Sequence, residues 1–228
     1  EKILLFCSPH NPGGRIWSKS ELEMIATFCE KHDLILISDE IHNDLVYEKS
    51  KHLMFPVAVP NISHRLVVMV SSSKTFNIAG GLMGNVIIED DILRQRFKSV
   101  HQTIGTSANL FGMKIAERAY SEGEKWLDEL LLYLERNKTV FDSGIKQICG
   151  LQSMELSATY LAWVNFKSTG MPEKEIINRV HKRARIVASI GSSFGKGGEG
   201  FMRFNLACPR ARIYEALERL SLEFNDAK

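Results

Sequence analysis

The sequence has few cysteines, and they do not form a recognisable site. The four residues, Cys7, Cys29, Cys149 and Cys208, lie far apart and include no C-x-x-C pair. Neither a zinc site nor a disulfide-linked scaffold is therefore indicated, and no metal ligand set is predicted. We expect reduced, mostly buried thiols.

The sequence also lacks a charge excess and a long apolar run. Its 29 Lys and Arg residues nearly balance 27 Asp and Glu residues, so the net charge is +2 and the footprint of a nucleic-acid-binding protein is absent. The apolar runs Leu34–Ile37 and Leu66–Val70 are far shorter than the ~18 to 20 residues that span a bilayer. Glu1-Lys2 does not begin a signal peptide. These features predict a soluble, cytoplasmic protein with no membrane or nucleic-acid partner.

The first residues suggest that the chain begins inside a fold. The sequence starts with Glu1 rather than Met, and Ile3–Cys7 already has the pattern of a buried strand. We therefore expect part of a longer protein. With 228 residues, 44% of them hydrophobic, the chain is long enough for one large domain or for a large piece and a smaller one.

Alternating strand and helix patterns predict an α/β fold in the first half. A helix is expected from about Ser18 to Lys31, because Ser18 and Glu21 form an S-x-x-E capping box. The runs Leu34–Ile37 and Leu66–Val70 do not alternate apolar with polar residues, which is typical of strands buried on both faces. Parallel pairing is therefore predicted for them.

The second half predicts a different organisation. A long helix is indicated by apolar residues from Leu127 to Ile148 with a period of about 3.5. Short strands and helices then interleave. The strands are expected at 160–166, 186–188 and 201–207, and the helices at 172–184 and 210–225. We place a domain boundary inside the long helix, which gives domains 1–140 and 141–228.

Four polar segments follow or end predicted strands, where open α/β sheets build ligand sites. They are N-P-G-G at 11–14, S-D-E-I-H at 38–42, S-S-S-K-T-F-N at 71–77 and F-M-R-F-N at 201–205. Together they resemble the class I/II aminotransferases, which bind pyridoxal phosphate (PLP), over essentially the whole chain. Within that family, D-E-I-H-x-D-L, S-K-T-F-N-I-A-G, T-Y-L-A-W and F-x-R-x-N-x-A-C-P-R are similar to the cystathionine β-lyase or C–S lyase branch.

This resemblance implies the fold and its parts. We expect the C-terminal part of the aspartate aminotransferase-like fold: part of a large, mostly parallel sheet domain that binds PLP, and a small α+β C-terminal domain. The strands that end near Asn11, Asp39 and Ser71, together with one at 84–88, are expected to be neighbours in the large sheet.

Lys74 is the predicted catalytic residue. A lysine on a loop that leaves a buried strand can place its amine at the sheet edge, where it condenses with an aldehyde. The alternative is a solvated surface lysine. The family resemblance favours the functional role.

Asp39 and Asn11 are predicted to bind the cofactor. Asp39 follows four apolar residues and needs a cationic partner if it is buried, and the family pairs this position with the protonated pyridine nitrogen. The alternative is a helix cap or a strand-end turn. Asn11 lies in a turn signal, and in the family it donates to the phenolic oxygen of the cofactor.

Three further residues are predicted around the cofactor. His42 stands where the common aminotransferase pattern has Tyr, and this departure favours a lyase over a transaminase. Ser71 and Ser73 are expected to help bind the phosphate, because hydroxyls and N–H groups at a turn after a strand form an anion site. Many aminotransferases add an arginine after the lysine, but 79–84 has none.

Arg203 is the predicted substrate-binding residue. It interrupts an apolar strand, where an unpaired guanidinium is costly, and its planar fork suits a carboxylate. The family uses this arginine for the α-carboxylate of the amino-acid substrate.

The implied function is a PLP-dependent β-lyase, homodimeric when complete, that cleaves cystathionine or cysteine S-conjugates to a thiol, pyruvate and ammonia. The first alternative is an aminotransferase. The second, of another class, is a non-catalytic regulatory module that senses PLP.

Overall fold

The computed structural model describes residues 1–47 and 50–225, which divide into two compact units. The first unit comprises Glu1–Pro9 and Ile16–Glu129, and the second comprises His10–Arg15 and Leu130–Lys228, described here as far as residue 225. The division falls inside the long helix, as does the predicted boundary between residues 140 and 141. That domain boundary stays a prediction.

The first unit is built on a four-stranded sheet in the order β1-β2-β3-β4. The strands are β1 (Ile3–Cys7), β2 (Ile35–Asp39), β3 (Leu66–Val70) and β4 (Asn85–Ile88). The helices are α1 (Lys19–Lys31), α2 (Phe55–Ala58), α3 (Ser72–Thr75), α4 (Asp91–Thr103), α5 (Leu110–Glu122) and the start of α6 (Glu124–Ile145). The predicted adjacency of these four strands is confirmed.

The first three strands run parallel. Leu36 pairs with Leu4 on one side and with Leu66 on the other, whereas β4 is antiparallel to β3. The predicted parallel pairing of the two non-alternating runs is confirmed. Because parallel strands end at the same edge of a sheet, the segments that follow Cys7, Asp39 and Val70 leave the sheet at one edge.

Helix α1 covers one face of this sheet. Its N-terminus has the predicted capping box, in which the Ser18 side chain accepts from Glu21 N and the Glu21 carboxylate accepts from Ser18 N. Leu22, Ala26 and Cys29 are buried in the core under the helix. Fully burying a leucine side chain contributes about 1.5–3 kcal/mol, so this face fixes the helix on the sheet.

The second unit has its own antiparallel sheet in the order β5-β6-β8-β7. These strands are β5 (Gln152–Ser153), β6 (Leu161–Asn165), β7 (Ser189–Ile190) and β8 (Phe201–Asn205). Helix α7 (Glu173–Ile177) continues as a π-helix over Asn178–Arg183, and α8 (Arg210–Phe224) follows β8.

The predicted strand over Ile186–Ala188 is wrong. Ile186 N donates to Val180 O and thereby closes the preceding helix, and Arg185 has a positive φ of 55°. Val187 is 99% exposed, although Ala188 beside it is buried. The strand begins only at Ser189, where it pairs with Arg203.

The expectation of mostly buried thiols is also wrong. All four cysteines are free, but only Cys29 is buried, and Cys149 is exposed after the end of α6. Within the described residues, no helix has both the length and the apolar character that a membrane crossing requires.

Candidate active site

Asp39 ends β2 at the carboxyl edge of the first sheet. It pairs in register with Cys7 of β1 and with Met69 of β3. Its Oδ1 atom accepts from Ile41 N at 3.1 Å, which is the strand-end turn weighed from the sequence. Oδ2 has no hydrogen-bond partner among the described residues, so one carboxylate oxygen remains for a cationic ligand.

Lys74 lies on a one-turn helix directly after β3. The Ser71 side chain caps this helix by accepting from Ser73 N at 3.1 Å, and Phe76 N donates to Ser72 O at the other end. Asn77 then takes a positive φ of 54°, which turns the chain away. The lysine side chain is half-buried. A short, capped turn thus places Lys74 directly after β3, whose end lies beside the end of β2 at Asp39.

The hydroxyls of Ser71 and Ser73 are 2.8 Å apart. Ser71 is buried, and its Oγ atom lies 2.5 Å from Met83 O, to which it donates. Because the one Ser71 proton goes to Met83 O, the half-buried Ser73 hydroxyl donates to Ser71 Oγ and must break that bond to donate to a ligand. Ser71 therefore supports the turn, and Ser73 is the hydroxyl that a ligand could redirect.

His42 lies in the turn after Asp39 and is 4% exposed. Its backbone carbonyl accepts from Leu45 N at 2.9 Å, which helps to close that turn. The fold therefore buries the imidazole in the loop that begins at Asp39.

Arg203 belongs to β8 of the second unit and is held by neutral groups. It donates to Asn11 Oδ1 at 2.7 Å and to Ser189 Oγ at 3.2 Å, and its guanidinium lies 4.7 Å from the centre of the Phe194 ring. No carboxylate among the described residues pairs with it. Burial lowers the pKa of Arg203, while Tyr160 acts in the opposite direction. An anion that reached this guanidinium would relieve its desolvation.

Asn11 is presented by a tight turn of the second unit. Gly14 N donates to His10 O at 2.7 Å, and Gly14 has a positive φ of 69°. Gly14 O accepts from Ser157 N and Ala158 N, which anchors the turn to the segment before β6. Because Asn11 Oδ1 accepts from Arg203, the amide nitrogen of Asn11 remains as a donor.

The predicted site residues thus fall into two groups. The first unit contains the lysine, the carboxylate, the histidine and the serines, and in the second unit Arg203 donates to Asn11. Their roles stay predictions.

Glu40 is a residue whose importance sequence reasoning missed. It is 0% exposed, and its carboxylate accepts from Ser38 Oγ and Phe55 N at 3.0 Å and lies 2.8 Å from Nε2 of His52. The signal was present, because Leu36 and Ser38 alternate onto the buried face of β2, and Glu40, directly after the strand, continues the alternation.

We expect Glu40→Ala to lower the free energy of unfolding by about 3–5 kcal/mol, because it leaves buried donors without their acceptor. Urea unfolding measures this change. Glu40→Gln keeps one carbonyl oxygen for Ser38 and Phe55 and should lose less. A loss below about 1 kcal/mol for Glu40→Ala would show that these contacts are replaceable.

The family to which the chain belongs is decided by comparison with known proteins. The model of the family "Aminotransferase class I and II" matches residues 1–220. The chain belongs to the class I and II aminotransferase family. This confirms the family predicted from the four motifs.

Relatives within the class I and II aminotransferase family include C–S lyases. The chain is 35% identical to cystathionine beta-lyase PatB of Bacillus subtilis (strain 168) over 220 residues, which cover 96% of this chain and 57% of PatB. Among solved structures it is similar to cystalysin from Treponema denticola, which contains pyridoxal 5'-phosphate, with 38% identity and a TM-score of 0.94. That match covers 100% of this chain and 58% of cystalysin.

A third similar protein is the PLP-bound C–S lyase from Staphylococcus hominis. It has 30% identity and a TM-score of 0.90, and the match covers 99% of this chain and 59% of that protein. The predicted fold class and the likeness to the C–S lyase branch are thereby confirmed. The chain spans less than three fifths of the length of these relatives.

Proposed function

We propose that the protein, at its natural full length, is a PLP-dependent carbon–sulfur β-lyase. Its substrate would be cystathionine or a related cysteine S-conjugate. The observation that carries the proposal is the placement, in one unit, of Asp39 at the end of β2 and of Lys74 directly after β3, its parallel neighbour. The similarity to PatB, cystalysin and the staphylococcal C–S lyase supports the lyase reaction in particular.

The chemistry of the available groups fits PLP. The cofactor has an aldehyde, a basic ring nitrogen and a phosphate. The first unit offers a primary amine, serine hydroxyls, and a carboxylate oxygen with no hydrogen-bond partner in the described part of the chain. When bound, PLP supplies an electron-withdrawing ring that makes a proton on the substrate Cα removable.

Lys74 has two roles in this proposal. Its amine would hold the cofactor through the aldehyde carbon until substrate binds. The freed amine then takes the Cα proton of the substrate as a general base. The short capped helix α3 would hold the backbone of Lys74 in place during both roles.

Asp39 keeps the ring nitrogen protonated. Its Oδ2 atom would accept a charge-assisted hydrogen bond from that nitrogen, and a nearby carboxylate favours the protonated form. The bond from Ile41 N to Oδ1 fixes the orientation of the carboxylate. His42, buried in the same turn, is proposed to contact the cofactor as well.

The phosphate and the substrate carboxylate need further groups. Ser73 is proposed to donate to the phosphate, as is Ser71 once it exchanges its bond to Met83. On the family resemblance, Asn11 is assigned to the phenolic oxygen through its amide nitrogen, and Arg203 to the α-carboxylate of the substrate.

The net reaction consumes one water molecule and yields a thiol, pyruvate and ammonia. Removal of the Cα proton allows the thiolate on Cβ to leave, and hydrolysis of the remaining three-carbon product gives pyruvate and ammonia. Transamination shares the first proton transfer. The two reactions are therefore separated by their products.

The test uses the full-length protein with PLP and L-cystathionine. We expect thiol, pyruvate and ammonia in equal amounts, measured by thiol titration and by enzyme-coupled assays. A parallel reaction supplies an amino-acid donor and a keto-acid acceptor. Amino transfer without thiol release would make the protein an aminotransferase, and cofactor binding without either reaction would make it a binding module.

The proposal extends to a homodimer in the cytoplasm with an amino acid as its small-molecule partner. The four free cysteines support a reducing compartment. Exposed apolar side chains of α4 and α5, such as Phe97 and Phe111, support self-association of the full-length protein. Equilibrium sedimentation of that protein should return the dimer mass, and a monomer would contradict it.

A further inference from the structure

One side-chain hydrogen bond joins the loop after β2 to the turn that carries Lys74. Thr75 Oγ1 donates to Asp44 Oδ2 at 2.8 Å, and Thr75 is 0% exposed. Asn43 Nδ2 donates to the other oxygen, Asp44 Oδ1, at 3.1 Å. The Asp44 carboxylate is therefore held on one side by its own loop and on the other by the residue next to the lysine.

The lysine turn depends on contacts with other parts of the first unit. Helix α3 has only 4 residues, from Ser72 to Thr75. So short a helix gains little from its own backbone hydrogen bonds, and its geometry depends on tertiary contacts. A hydrogen bond to a carboxylate is about twice as strong as a neutral one, so the bond from Thr75 is a major restraint.

The Asp44 side of this hydrogen bond belongs to the loop that follows Asp39. Asp44 lies in a loop that begins at Asp39, where Oδ1 of that residue accepts from Ile41 N, and continues through Asn43, whose N–H donates to Glu40 O at 2.9 Å. The two segments that carry the predicted lysine and pyridine carboxylate are thus joined through one part-buried hydrogen bond.

The aromatic residues beyond the turn complete this packing. The Phe76 ring contacts the Tyr120 ring edge-on, with 5.6 Å between their centres. Burial, together with the Asp44 carboxylate, raises the pKa of Tyr120. The Asp44 carboxylate therefore lies near Tyr120 as well as bonding to Thr75.

We propose that Asp44 and Thr75 are positioning residues for Lys74. Their hydrogen bond sets the position of the lysine turn relative to the loop of Asp39, and so controls how fast the amine reaches the cofactor aldehyde. This inference rests on the proposed function of Lys74. Neither residue takes part in the chemistry.

The test compares the wild type with Thr75→Val, which removes the hydroxyl with little change of shape, and with Thr75→Ser, which restores a hydroxyl. Thr27→Val is the matched control, because Thr27 Oγ1 bonds only to Glu23 O on the exposed side of α1. Two quantities are measured on the full-length protein. They are amide hydrogen exchange at residues 75–78 without cofactor, and the rate at which added PLP becomes reducible onto Lys74 by borohydride.

For Thr75→Val we expect faster exchange at 75–78 and a rate of attachment to Lys74 that is about 10- to 100-fold lower, as for a small misplacement of a reacting group. Thr75→Ser should recover most of the wild-type protection from exchange and most of the wild-type attachment rate. Thr27→Val should match the wild type. Asp44→Ala should resemble Thr75→Val, and the double variant should be no slower than either, because each change breaks the same bond.

The failures of the two proposals are distinguishable. If the wild type attaches PLP at Lys74 and Thr75→Val does so at the same rate, the positioning role is overturned and the proposed function stands. Unchanged hydrogen exchange in Thr75→Val would also overturn it. If the wild type itself attaches nothing at Lys74, the proposed function fails first.

Discussion

Replacing Lys74 by alanine should lower the rate of pyruvate formation from cystathionine by at least about 10³-fold. The change removes both the covalent attachment of the cofactor and the general base, and general acid–base catalysis alone is worth about 10²–10⁴-fold. The measurement is kcat of the full-length protein with saturating PLP. The variant should remain folded, because Lys74 is half-buried and its backbone contacts are made by its neighbours.

Two further variants separate chemistry from charge. Lys74→Arg keeps the positive charge but cannot condense with an aldehyde at neutral pH, so it should be as inactive as the alanine variant. Lys98→Ala removes an exposed lysine from α4 in the same unit and should leave kcat unchanged. Retention of more than a tenth of the wild-type activity in Lys74→Ala would remove Lys74 from the mechanism.

Replacing Arg203 by alanine should reduce kcat/KM for cystathionine by about 10²- to 10⁴-fold. A guanidinium that grips a carboxylate with two bonds contributes about 1.5–3 kcal/mol for each bond. Arg203 is suited to this role because Asn11, Ser189 and the Phe194 ring hold it in place without neutralising its charge. The PLP absorbance of the full-length variant should be retained.

A substrate analogue provides the matched control for Arg203. One analogue of cystathionine lacks the α-carboxylate of the cysteine half, which is the half that is cleaved. The wild type should cleave this analogue slowly, and Arg203→Ala should not slow its cleavage further. Arg203→Lys keeps the charge but loses the planar fork, so its loss should be intermediate. Equal loss on both substrates would reassign Arg203 to the folding of the second unit.

The sequence predicted most of the first sheet because its signals are local. Two non-alternating apolar runs indicated strands buried on both faces, and the register of Leu36 with Leu66 confirms their parallel pairing. The capping box at Ser18 located the start of α1 for the same reason, since all its partners lie within one turn.

The prediction failed where a longer-range contact overrides the local pattern. Residues 186–188 are apolar enough for a strand, but the bond from Ile186 N to Val180 O makes them the end of a helix. The pairing strand therefore starts three residues later, opposite Arg203 in β8. An apolar run alone does not show which other segment will form hydrogen bonds with its backbone N–H and C=O groups.

The candidate site also shows this difference between local signals and long-range contacts. The motifs that resemble the aminotransferase family indicated each of the predicted residues one at a time, whereas the support of these residues depends on distant ones. Glu40 bonds to Phe55, and Asp44 bonds to Thr75 across 31 positions of the sequence. Such partners are chosen by how the loops pack after the sheet has formed, and no local pattern encodes them.

The central claim is that Lys74 carries the cofactor, and peptide mapping tests it most directly. The full-length protein is incubated with PLP, reduced with borohydride and digested, and the peptides are sequenced by mass spectrometry. The account predicts a pyridoxyl phosphate mass on Lys74, stoichiometric with protein and absent from Lys74→Ala. The same label on a different lysine, with Lys74 unmodified, would contradict both the site and the mechanism.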